Sequence, residues 1–273
     1  MEFRILGPLE VVDGTTVVRI AGGHERRLLL LLLIRAPQPV RLAAIVDALW
    51  PDDPPSSAQK VIQNYVLRLR KALSADMIAT VADGYALVTE PDAVDAWLAA
   101  AELRRAKEAL AAGDAAGAAA LTSAALGRWR GQALADVRDE PFAQPEAARL
   151  DELRLAGIED GYDAALAAGR HTSIIPELRQ HTALHPLRER GRAQLMLALY
   201  RSGRQADALA EYRGARGALA DQGLEPERTL RALEQAILNQ APELELPSVP
   251  APTSVVEAPP VQRSDQRPWW MAA

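Results

Sequence analysis

No cysteine occurs anywhere in the 273 residues. Disulfides, thiol nucleophiles and thiolate metal sites are excluded together, and the chain suits a reducing compartment. Aromatic residues make up only 4%, so any core has to be built from aliphatic side chains. No apolar run reaches the roughly 20 residues that a membrane span requires. The most apolar run, LLLLLLI at 28–34, reads instead as a buried helix face. The opening residues MEFRILGPLE show no basic region followed by an apolar stretch, so no secretory signal is expected. A cytoplasmic location without membrane contact follows as the expectation.

Chemistry-bearing constellations are also missing. There is no G-x-S-x-G elbow and no Walker-type G-x-x-x-x-G-K-[ST], because Gly22-Gly23 lacks the following lysine. His181 and His185 have the i, i+4 spacing of a zinc-binding helix, but no Glu follows the first His and no third ligand stands nearby. His24 and His171 complete no set with them. The expectation is no enzyme, no metal and no cofactor.

What is present is alanine and leucine in quantity, in a chain 49% hydrophobic and 25% charged. Both residues lose little on entering a helix, so helix-on-helix packing is expected. Charge is uneven. Overall there are 31 Lys+Arg against 36 Asp+Glu, yet residues 1–90 hold ten of each, and the acidic excess lies entirely beyond them. The net sign says little about partners, and the local arrangement has to decide.

Residues 3–20 alternate in the two-residue period of half-buried strands, with Phe3/Ile5, Leu9/Val11 and Val18/Ile20 apolar. Asp13-Gly14 between them is a hairpin signal. A helix is predicted over 24–35, stopped near Pro37. A short one follows from Leu42 to Trp50, ended by Pro51. A third begins at a cap on Ser56 or Ser57. Asp83-Gly84, flanked by Val81 and Tyr85, marks a second hairpin.

The third helix, SSAQKVIQNYVLRLRKAL at 56–73, contains no acidic residue. Ile62, Val66, Leu69 and Leu73 form one apolar stripe. Lys60, Asn64, Arg68 and Lys71 form a second stripe turned away from it. A solvated face is the bland reading. A preceding short helix, a tight turn and a following hairpin favour another: a winged helix-turn-helix, with this helix in the DNA major groove. Asn64 can pair in bidentate fashion with adenine and Arg68 with guanine, and Gln63 is within reach of the groove. Leu67 offers only apolar contact, such as a thymine methyl. Arg70, off the stripe, is assigned to phosphate or an internal carboxylate. Arg26 and Arg27, opening the first helix, are candidates for phosphate, with surface solubility as the competing reading. Tyr85 reads as core, and Asp83 as a turn former only.

From Asp95 to about Asn239 strand signals fade. Residues 162–186 align with 196–220 at an offset of 34, Gly169 matching Gly203, Ile174 matching Ala208 and Leu178 matching Tyr212. That is the tetratricopeptide period of paired helices. Gly113, Ala118 and Ala125 repeat the offsets, and GQALADVRDEPFAQPE at 131–146 separates them from the next unit. Residues 226–240 read as a closing helix. Residues 242–273 hold seven of the nineteen prolines and are expected to be disordered, with Trp269-Trp270 as a possible docking element near the end.

The fold class is therefore mainly α: an N-terminal α+β winged helix-turn-helix over 1–90, an α-helical tetratricopeptide-like domain over 95–240, and a Pro-rich tail over 241–273. FRILGPLEV, RRLLLLLLIRAPQPV, IVDALWPDDPP, IQNYVLRLRKAL and GYALV resemble the OmpR-type winged helix of the Streptomyces antibiotic regulatory protein (SARP) family. EAARLDELRL, LHPLRERGRAQLMLALYRSGRQADALAEYRGAR and GLEPERTLRALEQAIL resemble the bacterial transcriptional activator domain that follows it there. The resemblance implies a transcriptional activator, typically of secondary-metabolite genes. It implies binding to direct repeats in double-stranded DNA near the −35 region, contact with RNA polymerase and its sigma factor, and pairing of protomers on DNA. Two other readings stand beside it. One is a tetratricopeptide-type adaptor whose winged helix serves only protein contacts. The other is the N-terminal part of a larger signalling ATPase regulator.

Overall fold

Six consecutive leucines lie in the first of the protein's two apolar clusters. Residues 28–33 span more than one turn of helix, so they cannot share a face. In the computed structural model, which describes residues 1–246, they lie within α1 (Gly23–Arg35) and each is at most 3% exposed. A helix apolar on all sides must be covered on all sides. The sequence pattern predicted one buried face; the structure buries the whole circumference. One apolar cluster joins α1 to Phe3, Leu6 and Leu9 at the N-terminus, to Ile45, Ile62 and Leu69, and onward to Trp129, Leu134 and Leu150.

Two small sheets frame this helix. β1 (Glu2–Arg4), β2 (Glu10–Asp13) and β3 (Thr16–Val18) form an antiparallel meander, with Asp13 paired to Thr16 across the first turn. The second sheet has the order β4-β6-β5, from β4 (Val40–Arg41), β5 (Ile78–Val81) and β6 (Gly84–Leu87). β4 was not anticipated, since two residues carry no period. It also changes the role of Gly84. The hairpin turn is Ala82-Asp83, and Gly84 pairs with both Val81 and Arg41. A Cβ there would lie 1.9 Å from the Val40 carbonyl oxygen. Glycine is needed at 84 for the close approach of two strands rather than for a turn.

Between the sheets run α2 (Leu42–Leu49) and α3 (Ala58–Ala72). Ser57 is the N-cap of α3, but its hydroxyl makes no capping bond. The Ala58 N–H instead donates to the Pro55 carbonyl at 2.8 Å.

Seven helices follow: α4 (Asp95–Ala111), α5 (Ala115–Leu126), α6 (Gln144–Ala167), α7 (Ile175–Leu184), α8 (Glu189–Arg201), α9 (Gln205–Ala220) and α10 (Arg228–Leu238). They form three antiparallel pairs and a closing helix. Gly113, Gly169 and Gly203 sit at the three turns within pairs, at φ 85°, 72° and 74°, where side chains are disfavoured. Ala208 and Ala215 are fully buried where α9 meets α8, and Leu178, Leu195 and Tyr212 fill the spaces between helices.

The packing does not divide at residue 90. The Phe3 N–H donates to the Ala93 carbonyl at 2.7 Å. The Ile5 and Leu6 N–H groups donate to the two oxygens of buried Asp95, at 2.8 and 3.0 Å. Burial pushes the Asp95 carboxyl above its ordinary value, and these N–H groups pull against that rise. The segment after α5 runs alongside β1: Arg130 and Leu134 donate their N–H groups to the Leu6 and Ile5 carbonyls, each at 2.8 Å. Leu134 does so while fully buried at φ 56°, a conformation that is costly for a leucine.

Residues 242–244 form a short 3-10 turn with Leu244 buried, and its carbonyl accepts from Arg201 Nε at 2.7 Å. Order thus extends beyond the expected start of the tail at 241. The expectations for residues 247–273, Trp269-Trp270 included, lie outside the described residues.

Candidate nucleic-acid interface

α3 buries Ala58, Ile62, Val66 and Leu69, and that stripe determines what faces outward. Gln59, Lys60, Gln63, Asn64, Leu67, Arg68 and Lys71 are all exposed. The face carries three cations and no carboxylate of its own. Among the described residues neither Lys60 nor Lys71 has an acidic partner within 4.0 Å. Leu67, 66% exposed, stands in the middle of this polar surface. Gln63 and Gln59 border a cleft of about 420 Å³ between α3 and the β5–β6 hairpin, lined also by Leu42, Val81 and Asp83. Lys60, Gln63, Asn64, Arg68 and Lys71 therefore share one solvent-facing surface, flanked by the wing.

Three of the expected residues have intramolecular partners elsewhere. Arg70 donates from Nε and Nη2 to the Ile78 carbonyl, at 2.9 and 2.6 Å, and from Nη2 to Thr80 Oγ1 at 2.8 Å. It fastens α3 to β5. Arg26 pairs with Asp136 and donates to the Leu9 carbonyl at 3.1 Å. Arg27 pairs with Glu140 at 2.6 Å and donates to the Ala48 carbonyl. Both join α1 to the segment between α5 and α6. The two carboxylates, Asp136 and Glu140, lie more than a hundred residues away in sequence, and no local pattern could announce them.

Arg68 is held differently. Its Nη1 donates to Glu25 Oε1 at 2.8 Å, yet its side chain remains 70% exposed. A second cleft, of about 340 Å³, lies here, lined by Arg19, Ile20, Glu25, Arg68 and Ala72. Arg19 is exposed and was missed from the sequence, because it sits in the strand-like run before Gly22-Gly23 rather than on a helix. On the other flank His24 stacks on Tyr65, with ring centroids 5.8 Å apart, and Trp50 adjoins both. Tyr85 is buried, and Asp83 is exposed at the hairpin turn.

The histidine pair belongs to a different feature. His181 Nε2 lies 3.3 Å from Glu159 Oε1, and Arg188 donates from Nε and Nη2 to both oxygens of that carboxylate. Arg190 bonds Asp160 and Asp163 nearby, tying α8 to α6. Among the described residues no group of three or more His, Asp or Glu could hold a metal ion, and no helix is long and apolar enough to cross a membrane.

A winged helix with a basic outward helix face, packed on a helical repeat, defines a class of bacterial transcriptional regulators. Comparison with known families matches residues 20–87 to the "Transcriptional regulatory protein, C terminal" family and residues 94–238 to the "Bacterial transcriptional activator domain". Regulatory protein AfsR of Streptomyces griseus is 42% identical over 92% of this chain and 26% of its own length. Regulatory protein DnrI of Streptomyces peucetius is 36% identical over 94% of this chain and 100% of its own length. The structure of Mycobacterium tuberculosis EmbR in complex with a low-affinity phosphopeptide superposes with a TM-score of 0.83 at 38% identity, over 88% of this chain and 65% of that one. The chain belongs to the Streptomyces antibiotic regulatory protein family of transcriptional activators. It spans about a quarter of the length of the AfsR relatives.

Proposed function

We propose that the chain is a sequence-specific DNA-binding activator whose α3 enters the major groove of promoter DNA. The observation that carries this is the outward face of α3: Lys60, Gln63, Asn64, Arg68 and Lys71 exposed together, with no acidic residue on the helix. An adaptor that used this surface only for protein contacts would have no need for unopposed cations opposite its core face. Asn64 and Arg68 are the base readers, and Lys60 and Lys71 are the phosphate contacts. Arg19 is added as a phosphate contact beside Arg68. Residues 1–90 supply the reading surface and residues 95–240 the activator surface.

One α3 reads a short site, so two protomers bind repeated half-sites about one helical turn apart. The family supports direct repeats, recruitment of RNA polymerase and its sigma factor, and secondary-metabolite genes as targets. Salt dependence tests the reading. The slope of log K against log salt should be about −0.9 for each phosphate neutralised. Lys71→Ala and Lys60→Ala should each reduce the magnitude of that slope by about 1. Binding that is insensitive to both substitutions would remove α3 from the interface.

A further inference from the structure

Among the described residues Arg68 is the one exposed cation of α3 that has a carboxylate partner, and that carboxylate is unusual. Glu25 lies in the first turn of α1, and its side chain is only 9% exposed. Among the described residues Arg68 is the only cation within 4.0 Å of it. The other Glu25 oxygen is pressed against Gly22: a Cβ on Gly22 would lie 2.1 Å from Oε2. The carboxylate is largely buried, in space that a side chain on Gly22 would fill, with a single cation facing it among the described residues.

A buried carboxylate with one partner costs desolvation energy that an exposed ion pair does not recover well. The same geometry does something for Arg68. A long side chain on a solvated helix face has many rotamers, and freezing them on binding is costly. Glu25 takes one guanidinium donor, and the Arg68 side chain stays 70% exposed in the cleft that it lines with Arg19, Ile20 and Ala72. By contrast Arg27 makes two internal hydrogen bonds from Nη2, and Arg70 makes three from Nε and Nη2.

We propose that Glu25 is a positioning residue for sequence discrimination: it fixes the Arg68 guanidinium in the orientation that reads a base, without touching DNA itself. This rests on the reading of α3 as the DNA-binding helix. A fixed fork presents its donors as a pair to one base edge, which favours guanine. Loss of Glu25 leaves the charge of Arg68 in place, so general attraction to DNA persists while discrimination falls.

The test uses the full chain, a preferred duplex selected by it, and a scrambled duplex of the same length. Affinity for both is measured for the parent, Glu25→Gln, Arg68→Ala and the double variant, with thermal midpoints as a folding control. Glu25→Gln should lower the ratio of specific to non-specific affinity by about fivefold to a hundredfold, the worth of one bidentate base contact. Affinity for the scrambled duplex should not fall. The double variant should be no worse than Arg68→Ala alone, because both changes remove the same contact. Glu25→Asp, which keeps the charge but withdraws the carboxylate, should show an intermediate loss and serves if Glu25→Gln does not fold.

An unchanged ratio in folded Glu25→Gln would make the carboxylate merely structural and overturn the proposal. A raised ratio would also overturn it, showing that Glu25 restrains Arg68 from the bases. Additive losses in the double variant would mean that the two residues act separately. If the parent itself prefers no duplex, the reading of α3 fails; if it does and Glu25→Gln is neutral, only this proposal fails.

Discussion

At the residue scale the informative side chains are those whose charge is buried. Glu159, 1% exposed, meets His181 of α7, Arg188 at the N-cap of α8 and Arg190 of α8. Burial alone would raise its carboxyl, but hydrogen bonds from Arg188 and His181 and the charges of Arg188 and Arg190 outweigh that and hold it below the ordinary 4.5. A lowered folded value means that the stabilisation is complete above the unfolded carboxyl's value. It is lost as pH falls through the folded one. Asp95 acts in the opposite sense, since burial raises it. The comparison of interest is therefore between parent and Glu159→Gln. The variant should be less stable at neutral pH by about 1–3 kcal/mol, the scale of charge-assisted hydrogen bonds lost, because Arg188 keeps Glu152 and Arg190 keeps Asp160 and Asp163. Its stability should also fall less steeply than the parent's below pH 4.5. Denaturant titrations across that range check it, and parallel acid limbs would show that Glu159 carries no such linkage.

Some residue roles were legible and others were not. The exposed set on α3 follows from Ile62, Val66 and Leu69 alone, because a buried stripe on a helix dictates its opposite. Arg26 and Arg27 were assigned to phosphate or solvent, and Arg70 to phosphate or an internal carboxylate, because an isolated arginine looks the same whatever it meets. Their partners, Asp136, Glu140 and the Ile78 carbonyl, are fixed by packing. Glu25 was hidden for the same reason.

At the scale of elements, α1 shows what period analysis misses. A six-leucine run has no amphipathic face to detect, and total burial becomes visible only once the neighbours are placed. Leu30→Ala, at a fully buried position, should cost about 2–5 kcal/mol, because α1 touches both halves of the continuous core. β4 likewise has no signature, yet it anchors the wing. Gly84→Ala would drive a methyl group into the Val40 carbonyl, so β4 and β6 must separate. A loss of about 1–3 kcal/mol is expected, with weaker hydrogen-exchange protection at Val40 and Tyr85. Unchanged protection there would show that the strands have room to shift. The repeat helices were the easiest to read, since Gly169 and Gly203 repeat at 34 residues and fall at equivalent turns.

At the scale of the whole molecule the chain behaves as one apolar cluster from Phe3 to Leu150, followed by a second from Leu166 to Leu244. The boundary expected between 90 and 95 falls inside the first. A fragment of residues 1–90 would uncover Phe3, Ile5 and Leu6, and would strip the N–H groups of Ile5 and Leu6 of the Asp95 carboxylate. Compared with residues 1–246, it should melt without cooperativity or at a much lower temperature. A cooperative transition at the same midpoint would contradict the shared core. The same coupling ties α1, and α3 packed on it, to the segment between α5 and α6 through Arg26 and Arg27, so under the proposed reading the placement of α3 on DNA would set where the helices of residues 95–240 point.

The central claim is that this chain reads DNA sequence through α3. Selection of bound duplexes from a random-sequence library by the full chain, at moderate salt, tests it most directly. A repeated motif should emerge, with half-sites about one helical turn apart, and Asn64→Ala or Arg68→Ala should weaken its recovery at defined base positions. Recovery of no motif, with retention governed by salt alone, would contradict the claim and leave α3 as a general phosphate-binding or protein-contact surface.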